Sequence, residues 1–227
     1  MTDDGLLDFL MRIAPALGRG TLVSIEVALV AAVGALMIGF VTGLARLSPH
    51  WYVRLPFTVY VEVFRSTSSL VQIFYFFYVL PLVGIRLEAF MTGTLVLSLN
   101  FGAYVSEVVR SAVQSVNPGQ AQAGIALNMT RNQIFRRVVL PQAFPVMLPA
   151  LGNYALELVK ATSLVSLITI TELTFAGSQL VQFYGRPTTI YLSVFAIYLV
   201  LALPLVSLNR HLEKRASGTW LGRATSK

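Results

Sequence analysis

Five stretches of this chain are apolar for long enough to cross a bilayer, at about residues 21–44, 57–83, 90–109, 146–170 and 189–208. Crossing a hydrocarbon core of about 30 Å takes roughly 20 helical residues, whereas a barrel strand needs about ten residues of alternating character, so runs of this kind predict helices. In hydrocarbon every backbone N–H and C=O must bond within its own segment, which the helix achieves. Composition agrees, with 56% hydrophobic residues, 12% charged residues and a mean hydropathy of +0.71, against about a quarter charged in soluble domains. The expected class is an all-α polytopic membrane protein with five transmembrane helices. No linker is long enough for a second domain, and one membrane domain is expected. The expected division is an extracytoplasmic N-terminal segment (1–20), a membrane domain (21–209, with a loop at 117–141) and a basic tail (210–227).

Lysines and arginines between the runs set the orientation. Arg46, Arg54, Arg110, Arg131, Arg136, Arg137, Arg210, Lys214, Arg215, Arg223 and Lys227 fall on one side, and only Arg12, Arg19, Arg86 and Arg186 on the other. The excess of basic loops on the cytoplasmic face then puts the N-terminus outside and the C-terminus inside. Topology accounts for the net charge of +7, and no basic cluster interleaved with aromatics suggests nucleic acid as a partner. The chain has no cysteine and two isolated histidines, so no thiolate or histidine metal site is expected. Asp3, Asp4 and Asp8 precede the first arginine, unlike the basic start of a signal peptide, and the N-terminus is expected to be retained.

Between the third and fourth runs the sequence reads NPGQAQAGIALNMTRNQIFRRVVLP. Asn117 is a helix cap, Pro118 suits the first helical position and Gln120 the third. Asn128 suits the left-handed corner that closes a helix. Thr130 and Gln133 repeat the capping logic, with Met129 and Ile134 placed as a hydrophobic staple. Two short helices, starting at Pro118 and Arg131, are therefore expected to form a stiff elbow. Leu140-Pro141 predicts a break before the fourth run.

Inside the runs, Gly39-x-x-x-Gly43 would let another helix approach closely. Ionisable residues in spans are costly and mark functional positions. Asn153, Glu157 and Lys160 share one helical stripe. Arg65, near Thr67 and Gln72, could take a solute carboxylate, and Glu157 an ammonium. Equally, Glu157 and Lys160 could neutralise each other while Arg65 snorkels to the interface. Glu107 and Arg110 read as an ion pair at the end of a span. Glu26 and Glu62 are weaker, interfacial positions.

Gly119-Gln120, Ala123, Ala126-Leu127 and Met129, followed by Val138-x-Leu140-Pro141-Gln142-Ala143, resemble the coupling loop of ABC-transporter permease subunits. Phe64-Arg65-Ser66-Thr67 with Leu70-Val71-Gln72, and Asn153 with Lys160-Ala161-Thr162-Ser163-Leu164 and Glu172-Leu173, are similar to motifs of the polar amino-acid uptake branch, the histidine-, glutamine-, opine- and ectoine-type permeases. The likeness spans roughly residues 20–215. It departs from the branch at Gln122, where a glutamate is usual, at Gly124, and at Asn128 in place of glycine.

The resemblance implies a type I importer permease fold with a cytoplasmic coupling helix. Gly119, Gln122, Ala123, Asn128, Arg131 and Arg136 would meet the ATPase, and Arg65, Thr67, Gln72, Asn153, Tyr154, Glu157, Lys160 and Ser163 would line the solute path. Implied partners are ABC ATPase subunits carrying ATP and Mg, a second permease subunit (a copy or a paralogue), a periplasmic or tethered solute-binding protein, and membrane lipid. No P-loop is present, so no cofactor and no catalytic residue are expected on this chain. Relatives that carry cationic amino acids have acids directly after the asparagine and the lysine, where this chain has Tyr154 and Ala161. That pattern argues against a lysine- or arginine-type solute, with Glu157 one turn away as a substitute acid, and neutral or acidic amino acids, opines and ectoine-like solutes all remain open. The rival reading is an ion- or proton-coupled secondary carrier using Glu157.

Overall fold

A computed structural model describes residues 5–224, with side chains to residue 211. Asp3 and Asp4, used above for the N-terminus, and Lys214, Arg215, Arg223 and Lys227, used for orientation, lie outside the described side chains. The chain is helical throughout: α1 (Leu6–Ala45), α2 (Trp51–Ser66), α3 (Ser69–Phe74), α4 (Ala89–Ser115), α5 (Pro118–Ala126), α6 (Arg131–Ile134), α7 (Leu140–Ala161), α8 (Leu173–Tyr184) and α9 (Pro187–Ala224). Among the described residues four helical stretches are long and apolar enough to span a membrane, and a fifth results if α2 and the helical run Ser69–Val83 count together. The second apolar run is thus not one straight span, because these two pieces meet at 106°. Thr67 leaves the helix in an extended conformation, and its hydroxyl bonds the Val63 carbonyl. Such side-chain competition for backbone partners is how Ser and Thr end or bend helices.

α1 packs along α4 through a seam of small residues. A Cβ on Gly43 would lie 2.8 Å from both the Ser106 carbonyl oxygen and Val109 Cβ, and one on Gly39 would collide with Val105. The Gly39-x-x-x-Gly43 pair therefore lets the two backbones approach, which is the main source of helix attraction where lipid removes the hydrophobic drive. We expect Gly39→Leu to force the helices apart at a cost of about 2–3 kcal/mol. That corresponds to a fall of roughly 4–12 °C in the thermal midpoint of the detergent-purified protein. Gly18→Ala, with nothing within 4 Å of the added carbon, should leave the midpoint unchanged.

Among the described residues the buried side chains form three clusters. Val27, Ala31 and Ala35 of α1 meet Leu97 and Phe101 of α4 and Leu158 of α7 in the middle. Phe9, Ile13 and Leu17 meet Leu173, Ile190 and Val194 at one end. Val105, Val109 and Ala112 meet Ala143 and Met147 at the other. α1 begins at Leu6 and runs through Pro15, so much of the segment 1–20 belongs to the same helix as the first apolar run.

The elbow forms as its capping residues direct. The Asn117 side chain accepts from the Gly119 N–H at 2.8 Å, Asn128 is left-handed at φ 54°, and Thr130 and Gln133 cap each other reciprocally at the start of α6. Gly124 lies against Ile134, where a Cβ would come within 2.8 Å of Cγ1, so the glycine lets the two short helices touch. Gln142 ties the elbow to α7, donating to the Val138 carbonyl at 2.9 Å and reaching Gln120 at 3.4 Å. The break expected at Pro141 is absent. A π turn over Phe135–Val139 precedes α7, and Pro141 falls in the first turn of α7, where a missing N–H costs nothing.

Candidate functional site

A cavity of about 550 Å³ opens between α4 and α7, lined by Ser69, Asn100, Phe101, Tyr104, Tyr154, Glu157, Lys160, Ala161, Ser163 and Leu164. Its size suits a small polar molecule. After α7 the chain tightens into a 3₁₀ segment, Thr162–Ile168, with Ser163 and Ser166 bonding carbonyls three residues back. A 3₁₀ stretch within a long helix often marks a functional position.

Of the residues expected along a solute path, Tyr154, Glu157, Lys160 and Ser163 reach this cavity. Glu157 and Lys160 pair at 3.5 Å with both side chains nearly two-thirds exposed. Charges that exposed within a span cannot face lipid, so this face of α7 meets water or protein. Asn153, on the same stripe, instead accepts from Asn209 of α9 at 2.8 Å. Arg65 does not line the cavity. Its guanidinium lies over the Tyr104 ring at 5.6 Å and 3.9 Å from Glu107. Glu107 bonds Arg110 at 2.6 Å and also Arg46, just past the end of α1, so the expected end-of-span pair is one part of a larger cluster.

Gln72 and Thr67 do not line the cavity, although Gln72 bonds Asn100, which does. The Gln72 amide donates to Thr67 Oγ1 at 2.6 Å and to the Phe64 carbonyl at 2.9 Å, holding together the two sides of the sharp bend. Asn100, buried in the middle of α4, donates to the same Phe64 carbonyl and to Gln72 Oε1, both at 3.0 Å. With both amide protons used, Asn100 presents its Oδ1 as the remaining acceptor beside the cavity it lines. Tyr104 and Tyr154 pair across the same space with ring centroids 5.4 Å apart.

Asn100, Tyr104, Phe101, Ser69, Ala161 and Leu164 are cavity residues that sequence reasoning did not select. A signal existed for Asn100: a carboxamide in the centre of an apolar run calls for a partner.

At the elbow, Ile125 and Leu127 are 65% and 76% exposed. Gly119, Gln122, Ala123, Asn128, Arg131 and Arg136 are exposed around them. The surface combines two unpartnered apolar side chains with a basic rim, a composition that suits protein recognition. Among the described residues no group of three or more His, Cys, Asp or Glu could hold a metal ion.

Residues 35–218 match the family described as the binding-protein-dependent transport system inner membrane component. A probable amino-acid ABC transporter permease protein of Sinorhizobium fredii is 42% identical over 212 residues, covering 91% of this chain and 89% of that protein. The glutamine transport system permease protein of Escherichia coli strain K12 is 34% identical, covering 88% and 93% respectively. Among solved structures, the crystal structure of an amino acid ABC transporter with histidines superposes with a TM-score of 0.87 at 31% identity, over 95% of this chain and 100% of that one.

Proposed function

Because the chain belongs to the family of inner-membrane components of binding-protein-dependent transport systems, we propose that the cavity between α4 and α7 is where this permease subunit of an ATP-driven amino-acid importer holds its solute. The chain is a multi-pass inner-membrane protein that works with an ATPase, where ATP and Mg are used, and with a solute-binding protein. Family membership displaces the reading of Glu157 as the titrating group of an ion-driven carrier.

The observation that carries the proposal is the arrangement around Asn100. A zwitterionic amino acid offers one ammonium and one carboxylate. Asn100 Oδ1 and the Glu157 carboxylate accept from the ammonium, Lys160 meets the carboxylate, and the Tyr104–Tyr154 pair forms an apolar floor. Arg65, held over Tyr104, adds positive potential beside the carboxylate position. A neutral amino acid matches this charge balance, since Glu157 and Lys160 already offset each other.

A second permease subunit, a copy or a paralogue, faces this cavity across the path. Support comes from the exposure of Glu157 and Lys160, which lipid would not tolerate. The elbow points into the cytoplasm and the N-terminus outward, in line with the basic residues gathered on the elbow side.

Uptake into ATP-loaded vesicles tests the site. Glu157→Gln removes one charge-assisted bond worth about 1.5–3 kcal/mol, so the solute KM should rise roughly tenfold to a hundredfold with assembly unaffected. A wild-type KM in that variant would remove Glu157 from the solute path.

A further inference from the structure

Glu172 is fully buried, yet none of the roles above uses it. It caps α8, its Oε1 accepting from the Phe175 N–H at 2.9 Å. Its Oε2 accepts from the Tyr198 hydroxyl of α9 at 2.8 Å and from the Ser24 hydroxyl of α1 at 3.2 Å. Ser24 in turn accepts from the Leu173 N–H at 3.1 Å. α1 can press this closely because Gly20 has no side chain: a Cβ there would lie 2.9 Å from Leu173 Cα. One carboxylate thus joins three helices at the end of the bundle opposite the elbow.

Directly before this node runs the 3₁₀ segment Thr162–Ile168, which supplies Ser163 and Leu164 to the cavity. The segment is fastened along its length. Val165 and Ile168 are fully buried, and Val165 packs where a Cβ on Gly93 of α4 would lie 3.0 Å away. At its start Thr162 is buried beside Tyr198, the residue that donates to Glu172. At its end Thr169 turns left-handed at φ 67°, a conformation a β-branched residue adopts only where the surroundings impose it. The Glu172 N–H then bonds the Ile170 carbonyl at 2.8 Å.

We infer that Glu172 is a positioning residue for solute binding: with Ser24 and Tyr198 it fixes the far end of the 3₁₀ segment, and so sets where Ser163 and Leu164 stand as one wall of the cavity. The inference rests on the cavity being the solute site. What the node supplies is geometry rather than charge. A glutamine at 172 keeps Oε1 for Phe175 and offers an N–H₂ to two hydroxyls, and these can turn their own protons to the Gly20 carbonyl and to Thr174, at 3.1 Å in each case. An alanine there leaves both hydroxyls and the Phe175 N–H without their partner.

The cysteine-free chain allows a test that needs no solute. Ser163→Cys in the assembled complex is labelled with a small charged methanethiosulfonate, and the rate is compared across second-site variants, with Ser69→Cys on another wall as control. Glu172→Ala and Tyr198→Phe should each change the rate at position 163 by about fivefold, with little effect at 69, and Glu172→Gln should restore it. Should Glu172→Ala fail to assemble, Tyr198→Phe and Ser24→Ala, which leave the carboxylate and its cap on the Phe175 N–H in place, carry the same comparison. Rates at position 163 unchanged in Tyr198→Phe and Ser24→Ala would overturn the inference. A rate that shifts at 163 while the uptake KM stays at the wild-type value would count instead against the cavity as the solute site.

Discussion

Uptake by the Asn100→Ala permease is expected to need roughly tenfold to a hundredfold more solute for half-maximal rate, a loss as large as that expected at Glu157. In the proposed site Asn100 has two duties. Its Nδ2 ties α4 to the Phe64 carbonyl and Gln72 across the bend between α2 and α3, and its Oδ1 is the acceptor left for an ammonium. The alanine variant loses both, so a control must separate them. Gln72→Met breaks the same inter-helix bond at a residue that does not line the cavity. That variant should lower the yield of assembled protein while each assembled copy keeps a KM close to wild type. Equal KM changes in the two variants would assign Asn100 to the bend alone.

The second large effect is expected at the elbow. Replacing both Ile125 and Leu127 with aspartate puts two charges where the exposed apolar side chains stand. Desolvating a charge against an apolar partner surface costs several kcal/mol, so ATP-driven uptake should fall below about a hundredth of wild type. The fold should survive, because neither side chain is buried and the caps at Asn117 and Thr130 are untouched. Charge reversal at Arg131 and Arg136 should weaken coupling less, since rim charges contribute mainly to association rate and register. Purified complexes of each variant, assayed for ATP hydrolysis and uptake together, give the comparison. Wild-type uptake in the double aspartate variant would move the ATPase contact elsewhere.

Much of this was legible because it is local. Thr130 and Gln133 specify a helix start whatever surrounds them, and Asn128 takes the left-handed corner its side chain favours. The small residues at 39 and 43 announce a close crossing, although only the fold shows that α4 is the helix they meet. Less legible were features set by neighbours. The run 57–83 is apolar without interruption by proline until Pro81, so the bend at Thr67 depends on Gln72 and Asn100 bonding the freed carbonyls, a partnership across 36 residues. Pro141 suggested a break, but the π turn before it absorbs the ring. Asn153, Glu157 and Lys160 do share a stripe, with Asn153 between the other two around the helix, but it stands about 6 Å from Glu157 and about 10 Å from Lys160 along the axis, far enough to meet a different neighbour. Asn153 turns to Asn209 while the other two face the cavity.

The account depends most on the elbow being the surface through which the ATPase drives the bundle. A chain free of cysteine lets one be placed at Leu127 of the elbow, with Leu82 at the opposite end, 83% exposed, as control. Cross-linking with a short bifunctional thiol-to-amine reagent in the purified complex should join Leu127→Cys to the ATPase subunit and leave Leu82→Cys free of it. No adduct at position 127, or an equal one at position 82, would contradict the account.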